Sequence, residues 1–175
     1  PAALREYVRK GGALVAEARA GWSNERGQAA PIIPGMGLHE VLGCRETAVE
    51  TGAKGRTVLE WASREIPGIA PGAHLAARWF EETLEPTSER SRVAARFADG
   101  RPAAVLGEFG KGKTLTLGSY LGAAYQTKPS PDVAALFRGL LEWSGVELPV
   151  AINGSPVEVR YLESGRNILL FAFNH

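Results

Sequence analysis

Residues 107–114 have the residue types and spacing of a phosphate-binding loop, because Gly-Glu-Phe-Gly-Lys-Gly-Lys-Thr fits the pattern G-x-x-x-x-G-K-[ST]. Such a loop holds phosphates against the N-terminus of the helix that follows it. Here the next residues, 114–118, alternate polar and apolar side chains, and residues 103–106 are also strand-like. We therefore predict a β-hairpin with solvated lysines. Nucleotide binding by Lys113 and Thr114 is the alternative, and a helix beginning at Lys113 would support it.

The cysteine and the histidines show no spacing typical of catalysis or of metal binding. Cys44 lacks the flanking glycines and the strand–turn–helix context of a nucleophile elbow, so we predict a packed small residue. His39, His74 and His175 do not lie at helical spacing with one another or with the cysteine. We expect no metal site and no cofactor.

Carboxylates and tryptophans raise the possibility of sugar chemistry. Glycosidases place two carboxylates on opposite sides of a sugar cleft. Glu81 and Glu82 are adjacent in a predicted strand and point to opposite faces, so they cannot form such a pair. For the four tryptophans, core or interface packing is favoured over sugar stacking; they are Trp22, Trp61, Trp79 and Trp143. We predict no catalytic residue in this chain.

The composition of the 175 residues is that of an ordinary globular protein, with 45% hydrophobic and 22% charged residues and a net charge of +1. This charge implies no strong attraction to nucleic acid or to anionic membranes. No apolar run approaches the length of about 18 residues that a transmembrane helix needs. No signal peptide is visible and the chain starts at Pro1, so we expect the true N-terminus to lie further upstream and the location to be cytoplasmic.

The N-terminal elements predict an α/β unit. Residues 2–10 have helical periodicity and are followed by two glycines, and residues 13–16 form an apolar run typical of a buried parallel strand. Since a strand normally precedes such a helix, we expect the chain to begin inside a larger fold. The polar loop 21–27 then lies at the carboxyl end of the strand, where open α/β sheets bind ligands.

The remainder is predicted to be β-rich, with two further helices. A short helix is expected at residues 38–42, and a longer one begins at Ser130 with proline at its first position and ends at Gly145. Strands are predicted at 57–61, 74–84 and 92–97, a three-stranded meander over 93–117, and a hairpin from 156–163 and 167–173.

Several segments, in their order and spacing, resemble the middle domain of glycoside hydrolase family 42 β-galactosidases. They are LREYVRKGGALV at 4–15, GWSNE at 21–25, PGMGLHEVLG at 34–43, FADGRPA at 97–103, FGKGK at 109–113, and the helix that ends before Gly145-Val146. The resemblance covers most of residues 1–150. Residues 45–92 do not align with the family, which leaves open a related hydrolase that is not a galactosidase.

The resemblance implies a class I glutamine-amidotransferase-like fold, that is, a flavodoxin-like three-layer α/β sandwich with extra β-hairpins. Residues 1–150 would be a trimerisation domain and residues 151–175 the start of a C-terminal β-sandwich. The catalytic glutamates of the family lie on a (β/α)8 barrel of about 250 residues, which this chain does not contain. The implied partners are copies of the chain in a homotrimer and the barrel of the same parent enzyme, which would hydrolyse terminal β-D-galactosides.

Two functional hypotheses follow. The first is a non-catalytic trimerisation domain, for which the predicted interface residues are Trp22, Asn24 and Glu25 in the polar loop and Trp79 and Phe80 in a strand. The second is an amidotransferase-like module that binds a carbohydrate or another small ligand without catalysis, with loop 21–27 as the rim of its pocket.

Overall fold

The first of two compact units, Pro1–Gly145, is built on a six-stranded mixed sheet. The computed structural model describes residues 1–147, 150 and 157–174. The elements of this unit are α1 (Ala2–Arg9), β1 (Ala13–Ala16), α2 (Leu38–Leu42), β2 (Cys44–Trp61), β3 (His74–Pro86), β4 (Arg92–Arg96), β5 (Pro102–Phe109), β6 (Gly112–Leu117), α3 (Leu121–Thr127) and α4 (Pro131–Ser144).

The strand order is β1-β6-β5-β4-β2-β3, and β1 with β6 is the parallel pair. The other neighbouring strands in this sheet are antiparallel. The structure is thus a mixed, mainly antiparallel sheet with few helices, and it does not confirm the finer expectation of a flavodoxin-like sandwich. The reason lies in the middle of the chain, where a long β2–β3 hairpin and the β4–β5–β6 meander supply most of the strand pairs.

The elements predicted from periodicity and glycine positions are present. These include the predicted helices α1, α2 and α4 and the meander over residues 93–117, and Gly145 ends α4 with a φ of 75°. β1 is parallel as expected, but it lies at the sheet edge and is only partly buried, since it has one neighbouring strand. β2 begins at Cys44, earlier than predicted, and α3 was missed.

Two groups of buried side chains form the core of this unit. The larger group lies between the sheet and α3 and α4, and the smaller one lies beneath α2. Cys44 belongs to the smaller group and is fully buried, and this burial raises the pKa of its thiol to about 12. The prediction of a packed cysteine is confirmed, because a thiol with so high a pKa stays protonated at neutral pH.

The phosphate-loop sequence forms the β5–β6 hairpin, which excludes the nucleotide-binding hypothesis. Its tip is bonded to the end of α1: the N–H of Lys111 donates to the Arg9 carbonyl at 3.1 Å. The ammonium of Lys113 lies 4.8 Å from the centre of the Trp143 ring. Thr114 is buried and its hydroxyl donates to the Leu42 carbonyl at 3.4 Å. The side chains of Lys113 and Thr114 therefore make contacts within the protein, at positions where a phosphate-binding loop would use them for a nucleotide.

The second unit, Val146–His175, contains an antiparallel hairpin of β7 (Val157–Ser164) and β8 (Asn167–Asn174). The predicted hairpin is confirmed, although Pro156 and His175 lie outside the described residues. Its apolar side chains are widely exposed, among them Leu162, Ile168, Leu169 and Leu170. Among the described residues of both units, no helix has the length and apolar character that crossing a membrane requires.

The close approach of α1 to the hairpin gives a prediction for Gly112→Ala. A Cβ at this position would meet the carbonyl oxygens of Val8 and Gly12, which are backbone atoms that cannot move aside cheaply. We expect the free energy of unfolding to fall by about 2 kcal/mol or more, measured by urea denaturation. Lys113→Ala should lower the free energy of unfolding by at most about 1 kcal/mol, because it removes only the cation–π contact with Trp143. A smaller loss in the glycine variant than in the lysine variant would contradict this account.

Candidate functional site

Glu82, on β3, is a buried carboxyl group at the junction of three segments. Its side chain is 1% exposed, and its Oε2 accepts the backbone N–H of Arg19 at 2.9 Å. Its own backbone N–H donates to the Gly118 carbonyl, directly after β6, at 2.8 Å. This one residue therefore attaches residues 17–30, which we call the β1 loop, and the segment directly after β6 to the edge strand of the sheet.

The charges around Glu82 determine its protonation state. Burial raises the pKa of Glu82 to about 8; the N–H donated by Arg19 lowers it, and the neighbouring Glu46 carboxyl raises it. Arg19 and Glu46 form an ion pair in which both side chains are largely buried. Glu82 is thus mostly protonated at neutral pH, and the buried charges beside it form a matched pair. Glu17 also faces this region, and its Oε1 accepts the N–H of Gly122 at 2.7 Å.

The β1 loop positions Trp22 through Arg19. Arg19 adopts a left-handed conformation, with a φ of 65°, and its guanidinium lies 5.1 Å from the centre of the Trp22 ring. The ring is 53% exposed. Arg19, which is fixed by its ion pair with Glu46, therefore contacts the Trp22 ring through a cation–π interaction, and the ring remains open to solvent. Exposed tryptophans of this kind are enriched at protein interfaces.

Asn24 organises the turn of this loop. Its Oδ1 accepts the N–H groups of Arg26 and Gln28, at 2.9 and 3.0 Å. Its backbone N–H donates to the Gln28 carbonyl at 2.9 Å. Glu25 lies at the exposed tip. The structure thus brings Trp22, Asn24 and Glu25 together on one short loop, with the asparagine in a positioning role.

Trp79 and Phe80 form a second group with Tyr120, which we call the β3 aromatic cluster. The Trp79 and Tyr120 rings meet edge-on with centroids 5.4 Å apart, and the Phe80 and Tyr120 centroids are 6.1 Å apart. Trp79 is 46% exposed. Tyr120 is held in place because the N–H of Arg78 donates to its carbonyl at 3.2 Å. Burial raises the pKa of the Tyr120 hydroxyl.

Trp79 has a backbone conformation that is unusual for a bulky residue. Its φ is 73°, in the left-handed region. It lies opposite an irregularity in the β2–β3 hairpin, where the pairing passes from Thr51 with Phe80 to Arg56 with Arg78. Residues 52–55 of β2 thus lie opposite Trp79 alone, and bulge-like irregularities of this kind re-aim side chains. The bulge therefore holds a large aromatic ring at the surface at a cost in backbone strain.

The remaining chemistry-bearing residues lie apart. Glu81 and Glu82 point to opposite faces as predicted: Glu81 pairs with Arg101 at 2.8 Å, while Glu82 is buried. Trp61 and Trp143 pack in the core. Within the residues that the structure describes, no group of three or more His, Cys, Asp or Glu side chains could hold a metal ion.

Two cavities bear on the alternative of a small-ligand module. One, of about 220 Å³, lies between α1 and α2, and the other, of about 780 Å³, lies between the β2–β3 hairpin and the α3–α4 connection. Residues of loop 21–27 line neither cavity. The predicted pocket with Trp22 at its rim is not found in either one.

Comparison with known proteins adds the family context. Over residues 2–147 the sequence matches the family model of the β-galactosidase trimerisation domain. Similar solved structures include a β-galactosidase from Bacillus circulans sp. alkalophilus (23% identity, TM-score 0.79) and one from Rahnella sp. R3 (20%, 0.76). Each alignment covers 98% of this chain and 24% of the other.

A cytoplasmic protein from Salmonella typhimurium LT2 is also similar, with 20% identity and a TM-score of 0.58 over 82% of this chain and 61% of its own. No curated protein matches the sequence significantly. The chain thus spans about a quarter of the length of the β-galactosidases that it resembles in fold.

The raised pKa of Glu82 gives a prediction about pH. The folded protein binds the proton of the Glu82 carboxyl group more tightly than the unfolded chain does. The contribution of this proton to the free energy of unfolding is therefore complete below about pH 4.5 and is lost as the pH rises to about 8. Glu82→Gln mimics the protonated group and should remove this component, a difference on the order of a few kcal/mol. The measurement is urea denaturation of both proteins between pH 5 and 9; parallel pH profiles would contradict the prediction.

The backbone of Trp79 gives a second prediction. At a positive φ, Trp79→Gly should be at least as stable as Trp79→Ala, because glycine adopts this conformation without strain. Val58, on β2, is exposed to a similar degree, 47% against 46%, and serves as the matched control. There the glycine variant should be less stable than the alanine variant by about 0.5–1 kcal/mol. The same order at both positions in thermal unfolding would refute the proposed strain.

Proposed function

The chain belongs to the β-galactosidase trimerisation domain family, a non-catalytic part of glycoside hydrolases, and from this premise we propose that it joins three copies of a larger enzyme through its exposed aromatic residues. The parent enzyme would hydrolyse terminal β-D-galactosides with a catalytic barrel located elsewhere in its chain. The proposed partners are therefore other copies of this chain and the barrel of the same parent.

The observation that carries the proposal is Trp79. A tryptophan that is nearly half exposed, on a strained bulge and braced by Tyr120, is poorly explained by the stability of a single copy. Rigidly held aromatic rings of this kind are typical anchors of protein interfaces, because association removes their large apolar surface from contact with water. Phe80 supports the same cluster from its less exposed position.

The β1 loop supplies the second proposed contact surface. Trp22 is the anchor, Asn24 fixes the turn and Glu25 belongs to the polar rim. A closed cyclic trimer requires two different surfaces on each copy, since its contacts run head to tail. The β1 loop and the β3 aromatic cluster meet this requirement, and we propose that the loop of one copy contacts the cluster of the next.

Three finer assignments belong to the same proposal. The parallel pairing of β1 with β6, together with α1 before β1, supports a relationship to the class I glutamine-amidotransferase-like fold. The exposed apolar side chains of β7 and β8 support residues 151–175 as the start of a β-sandwich. The description of two structurally similar Salmonella proteins as cytoplasmic supports a cytoplasmic location.

The proposal predicts a stable trimer whose affinity depends on the two tryptophans. Trp22→Ala and Trp79→Ala should each weaken assembly by about tenfold or more, since interface anchors contribute about 2 kcal/mol. Tyr7→Ala is the matched control, because Tyr7 on α1 is 53% exposed, as Trp22 is, and lies outside both surfaces.

Light scattering across a dilution series measures the molar mass of the unsubstituted chain and of the three variants. The expected result is a trimer for the unsubstituted chain and for the Tyr7 variant, with dissociation of both tryptophan variants at concentrations where the controls remain assembled. A monomeric unsubstituted chain, or a trimer lost only in the Tyr7 variant, would contradict the proposed interface.

A further inference from the structure

The larger cavity is an open groove of about 780 Å³ between the β2–β3 hairpin and the connection from α3 to α4. Its volume falls within the range of about 300–1,000 Å³ that is typical of small-molecule sites. The lining residues at its two walls come from residues 56–58 and 76–78 on the strands and from residues 124 and 127–131 on the helical side. Neither tryptophan of the proposed assembly surfaces lines it.

The charge of the groove is one-sided. Arg56, Arg78 and Lys128 line it, and among the described residues no aspartate or glutamate does. Arg56 and Arg78 face each other as direct partners across the β2–β3 pair, an arrangement in which like charges destabilise a sheet. Within the described part of the chain, none of these three cations forms an ion pair within 4.0 Å.

Arg78 is held in position although no carboxylate neutralises it. Its Nη1 donates to the Thr127 hydroxyl at 2.7 Å, and its guanidinium lies 5.6 Å from the centre of the Trp79 ring. These contacts leave other N–H donors of the guanidinium available. A cation that is fixed before binding loses little conformational entropy when an anion arrives.

The helical wall also offers positive potential and donors. Ser130 is the N-cap of the 14-residue helix α4, yet its side chain makes no capping hydrogen bond. The carboxylate of Asp132 in the first turn of α4 is occupied, because its Oδ2 accepts the N–H of His74 at 2.9 Å. Lys128 lies two residues before Ser130, so cations border the groove on both of its walls.

We propose that this groove binds a small molecule that carries at least two anionic groups, phosphates or carboxylates, on a partly apolar body. The paired arginines would receive one group, and Lys128 with the Ser130 hydroxyl would receive the other. The apolar body would lie on the side chains between them, which include Val58, Ala76 and Pro129. A bound anion would relieve the repulsion between the two arginines. It would therefore bind more tightly here than at an isolated surface cation.

The test is calorimetric titration of the full chain with pyrophosphate, a probe with two linked phosphates, at low ionic strength. The expected result is saturable binding that weakens by about tenfold in Arg56→Gln and in Lys128→Gln, since each removes one charged contact. Arg56 and Lys128 are exposed, so these variants should fold normally, as circular dichroism would verify. Arg90→Gln is the control, because Arg90 is an exposed arginine outside the groove.

Absence of saturable binding would overturn the proposal, as would equal weakening in the Arg90 control, which would indicate a non-specific effect of net charge. Arg78→Gln provides a further check, since it should weaken pyrophosphate binding at least as much as Arg56→Gln does. Light scattering on the same samples separates this inference from trimerisation: the Arg56→Gln and Lys128→Gln variants should keep the mass of the unsubstituted chain. Arg78→Gln is left out of this comparison because the Arg78 guanidinium contacts the Trp79 ring.

Discussion

The arrangement of this domain depends on a carboxyl group that is buried without a cation of its own. Glu82 ties together the edge strand β3, the loop after β1 and the segment after β6. Arg19 forms its ion pair with Glu46 and not with Glu82. The buried Glu82 carboxyl group is therefore most stable in its protonated form, and burial raises its pKa. Both groups of exposed aromatic residues are attached to this junction, Trp22 through Arg19 and Trp79 through the strand that carries Glu82.

The parts of the fold that could be predicted from the sequence are those governed by local rules. Periodicity placed α1 and α4, and turn residues placed the meander, because each signal is contained within a few neighbouring positions. The phosphate-loop pattern was correctly interpreted as a hairpin for the same reason. The flavodoxin-like sheet, which was expected from the family resemblance, was not confirmed. Residues 44–86 form instead the long β2–β3 hairpin, whose full length no local pattern specifies.

The candidate site was predictable only in part. Aromatic residues in a loop and a predicted strand suggested Trp22 and Trp79, but the sequence offered no sign of the positive φ of Trp79. Glu82 was noted only as a residue that could not pair with Glu81. Its role arises from contacts with Arg19, 63 residues away, and from desolvation, which depends on the complete packing of the domain. Tyr120 was missed because it directly precedes α3, a helix of seven residues that was not predicted.

In the proposed trimer, copies of the chain meet through the β1 loop and the β3 aromatic cluster. Hydroxyl-radical footprinting tests it most directly, by comparing side-chain oxidation above and below the concentration at which the assembly dissociates. The account predicts that Trp22 and Trp79 are protected several-fold on assembly, while Tyr7 and Met36, exposed on the α1–α2 side, react equally in both states. Protection of Tyr7 and Met36, with both tryptophans unchanged, would contradict it.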